Sequence, residues 1–243
     1  ILFLHKNEKC FPLSMDHICR NSTLNDNKNK ILIKSEELNA DNLIEKSQNI
    51  NQTHLEISPK IWRGVNISNL NSVPFYYTTY ETEIQIMIQY CFLYAYNSPY
   101  NICGFHIGAH QGDLEHITVY INKITWLIDG IYYSAHRQFG GEYVDIKNIE
   151  FINGHPIVYV SKGSHACYNR SSIISRVFCC ANDDTCNPVY RWFPDELICL
   201  DDMSWNNYTG MIGSIPIFGK QGWYKNEEGQ TSNCFTRVFL PCY

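Results

Sequence analysis

Between residues 74 and 161, five segments rich in aromatic and β-branched residues follow one another, and this succession constrains the fold more than any other feature of the sequence. Turn-forming stretches that contain Gly, Asn, Asp or Pro separate several of them, and no helical pattern intervenes. The predicted strands are PFYYTTY, EIQIMIQYCFLYAYN, EHITVYI, GIYYSAH and PIVYVS. Strands at this spacing are typical of a sandwich, so we expect an all-β fold.

The whole chain, residues 1–243, is predicted to form a single β-sandwich domain with disulfide-pinned loops and a minor helical insertion. Its core is expected within residues 74–168. Residues 20–60 are polar and are expected to be an insertion or a mobile loop. Within them, SEELNADNLIEKSQ predicts a short helix, because three of its apolar residues share one face. Residues 169–243 are expected to form a Cys-rich C-terminal elaboration.

Composition excludes several classes of protein. With 44% hydrophobic and 18% charged residues, the chain can bury a core and is not a disordered polymer. The formal charge of −5, without a long basic run, argues against nucleic acid as a partner and against direct electrostatic docking on anionic lipid. Because no apolar run approaches the roughly 20 residues that a membrane span needs, no transmembrane span is expected.

The chain contains 11 cysteines. None of them forms the paired CxxC spacing typical of a zinc ribbon, so we interpret them as the disulfide-forming residues of a secreted or lumenal protein. The odd number leaves at least one thiol outside intramolecular disulfides, and the sequence does not determine the pairing. The candidates are Cys10, Cys19, Cys91, Cys103, Cys167, Cys179, Cys180, Cys186, Cys199, Cys234 and Cys242.

Five N-x-[ST] sequons agree with a secreted, cell-surface or lumenal location, for example in a vacuole or the secretory pathway. They support it weakly, because an Asn-rich chain produces some sequons by chance. The candidate glycosylation sites are Asn21, Asn51, Asn66, Asn169 and Asn207. The sequence begins with Ile1 rather than Met, as expected after removal of a signal peptide or in a trimmed chain.

Six of the nine histidines fall between residues 106 and 165, a region otherwise dominated by strand patterns. Within it, Asp113 and Glu115 are two residues apart on a predicted strand and therefore point to the same face. That face continues with Ile117 and Val119, so the two carboxylates lie at the end of an expected core face. Like charges in this position repel each other and are poorly solvated, and a cation or a protonated histidine would compensate both effects.

A turn within residues 122–130 predicts a hairpin that brings His136 back toward Asp113 and Glu115, while His110 lies in the turn before them. Mixed oxygen and imidazole ligands suit Mg²⁺, Ca²⁺ or Mn²⁺, and two imidazoles also permit Zn²⁺. We therefore expect these four residues to bind a divalent cation, with Ca²⁺ or Mg²⁺ favoured over Zn²⁺. The alternatives are a buried hydrogen-bonded network without an ion, and scattered surface groups.

Several of these segments resemble a known family. GAHQGDLEHITVYI, SAHRQFGGEYVD and PIVYVSKGSHACY are similar to the central blocks of the vacuolar protein sorting-associated protein 62 family. IQYCFLYAYNSPYN resembles the aromatic strand that precedes those blocks, and KCFPLSMDHICRNSTL and IFGKQGWY resemble its N-terminal block and a late Gly-Trp segment. The resemblance is clear over residues 74–168 and thinner elsewhere.

The same blocks resemble, more distantly, the necrosis- and ethylene-inducing cytolysins. Their signature is Gly-His-Arg-His-Asp-Trp-Glu followed by Ser-Ala-His, and AHQGDLE and SAH stand at those places. In those toxins an acidic pair, histidines and an upstream Asp form a divalent-cation site on a β-sandwich, which helps to engage sphingolipid sugar headgroups. The resemblance implicates His110, Asp113, Glu115 and His136, with Asn97 at the place of the upstream Asp.

Five further positions bear on the interpretation of this site. Gly112 and Leu114 stand where the toxins have His and Trp, which affects toxin activity more than the fold or the cation. His165, matched in the sorting family, is either an additional site residue or a core histidine bonded to backbone. His116 points away from Glu115 in a regular strand and is expected to be partly exposed. Cys167 lies two residues after His165, and a disulfide is favoured over a Cys–His nucleophile.

The favoured function is binding, through a cation-assisted contact to a membrane headgroup, a glycan or a partner protein. A second hypothesis is a metal-dependent hydrolase, with Asp113 and Glu115 as ligands and His136 or His165 as general acid-base. A third is a structural subunit of a secreted or surface complex. The sequence contains neither a Gly-rich phosphate loop nor a G-x-S-x-G or H-E-x-x-H motif. We expect the tryptophans to pack in the core or anchor loops rather than line a sugar-binding surface: Trp126, Trp192, Trp205 and Trp223.

Overall fold

The structure is a computed structural model, and it describes residues 1–48, 53–102, 105–136, 141–175 and 181–213. None of the helices in these ranges is long and apolar enough to cross a membrane. Strands dominate, as the sequence predicts.

The described residues contain two short α-helices, six 3₁₀ helices and 20 strands. The helices are α1 (Met15–Arg20) and α2 (Leu43–Ser47), and the 3₁₀ helices are Ser35–Glu37, Pro59–Ile61, Ile67–Ser72, Ile146–Asn148, Leu200–Asp202 and Ser204–Asn207. The strands are β1 (Leu2–His5), β2 (Ser22–Asn25), β3 (Ile31–Ile33), β4 (His54–Ile57), β5 (Phe75–Glu81), β6 (Gln85–Asn97), β7 (Tyr100–Ile102), β8 (Phe105–Ile107), β9 (His110–Asn122), β10 (Ile128–Tyr133), β11 (Glu142–Asp145), β12 (Phe151–Ile152), β13 (His155–Pro156), β14 (Val158–Val160), β15 (Cys167–Tyr168), β16 (Ile173–Ser175), β17 (Asn182–Asp184), β18 (Pro188–Trp192), β19 (Leu197–Cys199) and β20 (Met211–Ile212).

A six-stranded sheet forms the centre of the molecule, in the order β11-β10-β9-β6-β5-β19. Its two longest strands, β6 and β9, have 13 residues each and pair antiparallel along almost their whole length, from Gln85 opposite Asn122 to Asn97 opposite His110. The predicted hairpin between β9 and β10 is confirmed, with Tyr133 opposite Ile117. The five predicted strands all occur in the structure, as β5, β6, β9, β10 and β14.

One face of the central sheet packs against a second sheet, in the order β15-β14-β1-β18. Because alternate residues of a strand point to the same face, the apolar face that begins after Glu115 is buried here. The main contributors to this core are Leu2, Leu4, Phe92, Ile117, Val119, Ile131, Val158, Val160 and Trp192.

The opposite face of the central sheet is also covered, by α1, α2 and a third sheet in the order β20-β4-β2-β3. This second core contains Met15, Ile18, Leu24, Leu43, Leu55, Ile57, Cys91, Leu93, Ala95 and Ile212. The prediction of a single sandwich is not confirmed, because a third sheet, formed mostly by strands of residues 20–60 and completed by β20, covers the opposite face. The minor helical element expected there is present as α2.

The structure shows none of the predicted disulfides among the residues it describes. Cys10, Cys19, Cys167, Cys186 and Cys199 are free thiols. Cys19 lies in the second core, whereas the Cys10 Sγ lies 3.3 Å from the Ser98 Oγ. Cys91 is buried in the same core as Cys19. The other candidates lie outside the described residues: Cys103, Cys179, Cys180, Cys234 and Cys242.

The sequons differ in accessibility. Asn66 and Asn207 are exposed, whereas Asn21 and Asn169 are half-buried. Asn51 lies outside the described residues. Glycosylation stays a prediction for all five.

Candidate functional site

The candidate site lies at the start of β9, where a glycine lets a neighbouring strand approach. Gly112 has a φ of 63°, a left-handed conformation that favours glycine, and a Cβ there would lie 2.2 Å from the backbone oxygen of Ile212. The third sheet therefore passes directly against β9 at this point. His110 belongs to β9 rather than to the turn expected there, and it lies opposite Asn97 of β6.

The core of the site is an imidazole between two carboxylates. His165 Nδ1 donates to Asp113 Oδ2 over 2.9 Å, and His165 Nε2 lies 3.8 Å from Glu8 Oε1. The three side chains are at most 2% exposed. The ring of His165 stacks on Tyr94, with centroids 3.8 Å apart and planes within 2°. His165 is thus bonded to an acidic side chain and not to backbone.

Glu8 is fixed by backbone amides from two loops. Its Oε1 accepts from the N–H groups of Lys9 and Cys10, each over 2.8 Å, and its Oε2 accepts from the N–H of Gly163, also over 2.8 Å. These contacts join the loop after β1 to the loop after β14. Burial raises the pKa of Glu8, but His165 and these amides outweigh it, so the pKa lies below its usual value.

His165 carries the compensating positive charge. Burial lowers its pKa, but the hydrogen bond to Asp113 and the nearby carboxylate of Glu8 outweigh this effect and raise it to about 10. The imidazole is therefore protonated at neutral pH. The charge problem posed by the sequence is solved for Asp113 by a protonated histidine, one of the two solutions expected.

Glu115 and His110 flank this triad. Ser134 Oγ donates to Glu115 Oε2 over 3.0 Å, and Glu115 is 5% exposed. His110 Nδ1 donates to the carbonyl of Gly112 over 3.2 Å, and its Nε2 lies 3.9 Å from Asp113 Oδ1. Asn97, also buried, donates from Nδ2 to the carbonyl of Gly108 over 2.9 Å.

His136 joins a second buried cluster, around Asp183. His136 has a φ of 62°, and its Nε2 donates to Asp183 Oδ2. Burial raises the pKa of Asp183, but His136 and two tyrosine hydroxyls hold it far below its usual range. The hydroxyl donors to Asp183 are Tyr100 (2.6 Å), Tyr168 (2.6 Å), Ser164 (2.7 Å) and Ser161 (3.1 Å). The structure thus brings His110, Asp113, Glu115 and His165 to one end of β9 and pairs His136 with Asp183.

The residues at the start of β9 fit a cation only in part. The 3.9 Å between His110 Nε2 and Asp113 Oδ1 exceeds a hydrogen bond and suits two ligands that share an ion at about 2.0–2.5 Å each. However, the described ranges contain no group of three His, Cys, Asp or Glu side chains arranged to hold a metal ion. An ion there would need further oxygen donors, such as water or a bound ligand.

Two residues of the site were not found by sequence reasoning. Glu8 lies 105 positions before Asp113 in the chain and Asp183 lies 47 positions after His136. The weak match of KCFPLSMDHICRNSTL to the family's N-terminal block begins one residue after Glu8 and was the nearest signal. Neither contact follows from local periodicity, because both depend on how the sheets stack.

Three expectations for individual residues are wrong. His116 is 2% exposed rather than partly exposed, since both faces of the central sheet are covered. Cys167 forms no disulfide, and its thiol is disfavoured as a nucleophile, because it is 1% exposed and burial raises its pKa well above the usual value. Trp126 is 69% exposed, whereas Trp192 and Trp205 pack in the core as expected. Trp223 lies outside the described residues.

Solved structures of similar fold include necrosis and ethylene inducing protein 2 from the causal agent of cocoa's witches' broom disease. It is 17% identical, with a TM-score of 0.38, and the match covers 56% of this chain but only 57% of that protein. NLPPya in complex with glucosamine is 13% identical, with a TM-score of 0.44 and 89% and 80% coverage. The non-toxic HaNLP3 protein is 15% identical, with a TM-score of 0.44 and 86% and 77% coverage. At these identities and TM-scores, the similarity assigns neither a ligand nor an activity to this chain.

A family profile gives the clearer result. No curated protein matches the chain. The profile described as Vacuolar protein sorting-associated protein 62 matches residues 1–176, which include β1 to β16, Glu8 and every residue predicted for the cation site. The chain therefore belongs to the vacuolar protein sorting-associated protein 62 family.

Proposed function

We propose that this protein acts by binding a sugar-containing polar ligand, either a glycan or a lipid headgroup, at the start of β9 with the help of a divalent cation. The observation that carries the proposal is the 3.9 Å separation of His110 Nε2 and Asp113 Oδ1, which suits two ligands of one ion. Asp113 is bonded to His165 and Glu115 to Ser134, and the two carboxylates are 3% and 5% exposed. These hydrogen bonds hold the two carboxylates in fixed positions.

The same burial argues against hydrolysis. A general acid-base must come within hydrogen-bond distance of the reacting atoms, directly or through one water. His165 is fully buried between Glu8 and Asp113, and His136 is engaged with Asp183. Both imidazoles proposed for catalysis therefore serve as donors inside the protein.

His110 and Asp113 are the side chains proposed to hold the cation, and Glu115, water or the bound ligand would supply the remaining donors. Ca²⁺ or Mg²⁺ is favoured, because both bind carboxylates and keep coordination positions for water or ligand oxygens. When bound, such an ion supplies positions that hydroxyl groups of a sugar can occupy. A cation would also offset the chain's negative charge of −5, which otherwise disfavours an anionic headgroup.

A secreted or lumenal location is part of this proposal. Glycans and sugar headgroups face the lumen or the outside of the cell, and the exposed sequons at Asn66 and Asn207 are compatible with that side. The free thiols among the described cysteines do not add support from disulfides.

The proposal is tested by cation-linked stability and binding. After dialysis against chelator, adding Ca²⁺ or Mg²⁺ should raise the melting temperature, since a ligand at a hundredfold its dissociation constant stabilises the native state by about 2.7 kcal/mol. Glycan arrays and liposome flotation with and without the ion then separate a free glycan from a lipid headgroup.

The key variants are Asp113→Asn and His110→Gln, and the matched control is Asp202→Asn, an exposed carboxylate. The first two should lose both the thermal response to the ion and the ion-dependent part of the binding, whereas the control should keep both. An unchanged wild-type melting curve after exhaustive chelation would contradict the cation. Recovery of a protein partner without glycan or lipid binding would support the complex-subunit hypothesis instead.

A further inference from the structure

Two hairpin turns meet at the opposite end of the central sheet. One joins β5 to β6 and contains Ile84, and the other joins β9 to β10 and contains Ile124, Trp126 and Leu127. The backbone N–H of Lys123 donates to the carbonyl of Ile84 over 2.9 Å, which locks the two turns together. We call Ile84, Ile124, Trp126 and Leu127 the apolar tip.

The apolar tip is the densest group of exposed apolar side chains in the described sequence. Its members are 62%, 82%, 69% and 67% exposed, and three of them lie within four consecutive positions. Single exposed apolar residues are ordinary, but several on two adjoining turns mark an interaction site. Tryptophan together with Ile and Leu is the composition found at the boundary between water and lipid.

The turn leaves no amide of this segment for another strand. Asn122 Oδ1 accepts from the N–H groups of Ile124 and Thr125, over 2.9 and 3.1 Å. The N–H of Trp126 donates to the carbonyl of Asn122 over 2.8 Å, and that of Leu127 to Thr125 Oγ1 over 3.4 Å. Since every backbone N–H from residue 124 to residue 127 is bonded within the turn, these donors stay satisfied when the tip enters the interface. Strand addition by a partner is disfavoured for the same reason.

The charged residues around the tip determine which lipid headgroups it favours. Lys123 Nζ pairs with Glu81 Oε2 over 3.0 Å, so its charge is compensated locally. Glu83 lies in the β5–β6 turn, and Asp129 lies just after the β9–β10 turn, where it accepts from Gln85. The rim is therefore net negative, which repels anionic lipid and matches the outward-facing ammonium of choline headgroups.

From these observations we infer that the apolar tip inserts into the interface of a zwitterionic, phosphatidylcholine-type bilayer. The 13 residues of β9 span about 40 Å at roughly 3.3 Å per residue, so the acidic site is held far from that surface. The inference does not depend on the proposed cation site. Membrane docking by the tip on phosphatidylcholine is independent of divalent ions and depends only weakly on salt, because it relies mainly on apolar burial.

Flotation of the full chain with phosphatidylcholine vesicles, in the presence of chelator, tests the inference. The wild type should float, and Trp126→Ala and Ile124→Ser/Leu127→Ser should each reduce partitioning by about tenfold or more. Added phosphatidylserine should weaken binding. The fluorescence of Trp126 is obtained as the difference between the wild type and Trp126→Phe. Lipids that carry a quencher near the headgroup should quench this signal.

Ile173→Ser is the matched control, since Ile173 is 64% exposed but lies on β16, outside the tip. It should bind vesicles as the wild type does, and all variants should melt at the wild-type temperature. The inference is overturned if the wild type stays with the protein-only fraction, if binding requires anionic lipid, or if the tip variants float normally. It is also overturned if the tip variants convert a concentration-dependent dimer to monomer, because the tip would then join two copies.

Discussion

At the start of β9, acidic and imidazole side chains lie in the interior, whereas at its end four large apolar side chains lie in water. Both ends depart from the simple rule that apolar residues are inside. At the start, Asp113, His165 and Glu8 are buried because they compensate one another. At the end, Trp126 is exposed because a closed turn holds its backbone beyond the sheet. Burial therefore depends on charge-compensating partners at the start of β9 and on turn geometry at its end.

Removal of the central imidazole should have the largest effect on this contrast. His165→Asn leaves the buried carboxylates of Glu8 and Asp113 without the positive charge of the imidazole, and breaking such a buried ion pair costs about 3–5 kcal/mol. Asn is chosen because it tolerates the left-handed conformation of His165, whose φ is 57°. The free energy of unfolding in urea measures the effect.

A variant at the other end of β9 is the control for this measurement. Ile124→Ser should change the free energy of unfolding by less than about 0.5 kcal/mol, as surface substitutions usually do. Adding Glu8→Gln to His165→Asn should cost less than the sum of the two single changes, because one buried charge is then removed with its partner. Full additivity would show that Glu8 and His165 are not coupled.

A smaller effect is expected from the close approach of two sheets at the start of β9. Gly112→Ala should destabilise the protein by about 3 kcal/mol, because the new Cβ would meet the backbone of Ile212 in a left-handed conformation. Gly154→Ala is a matched control, since Gly154 has a φ of 79° and no atom within 4 Å of an added Cβ. It should cost about 1 kcal/mol, the conformational part alone. Equal losses in urea unfolding would mean that the contact with β20 contributes nothing.

The two ends of β9 also differ in how far the sequence could predict them. Period-2 alternation placed Asp113 and Glu115 on the core face of a strand, and the turn after Asn122 correctly predicted the hairpin. These are local features. The protonated imidazole was one of two solutions expected for the acidic pair, and His165 was one candidate among six nearby histidines.

The contacts of Glu8 and Asp183 could not be predicted, because they join segments that are distant in the sequence. Glu8 reaches His165 because β1 pairs with β14, and Asp183 reaches His136 because the loops after β10 and β14 converge. Trp126 was expected to pack in the core or to anchor a loop, since large aromatic side chains are buried in most contexts. Its exposure follows from a side-chain-capped turn, which no apolar pattern signals.

The smallest effect concerns a second histidine near the acidic site, whose pKa shifts in the opposite direction to that of His165. His5 is 3% exposed, its Nδ1 accepts from the N–H of Asn7 over 2.9 Å, and its Nε2 lies 3.5 Å from Asp184. Burial lowers the pKa of His5 below 6.5 and outweighs the carboxylate of Asp184, so the native imidazole is neutral.

Because the unfolded chain binds a proton at this position before the native state does, stability falls as the pH drops below 6.5 toward the native pKa of His5. Urea midpoints measured on both sides of that value should therefore decrease on acidification. His5→Asn should make the decrease shallower. An identical slope in wild type and His5→Asn would show that burial does not lower the pKa of this imidazole.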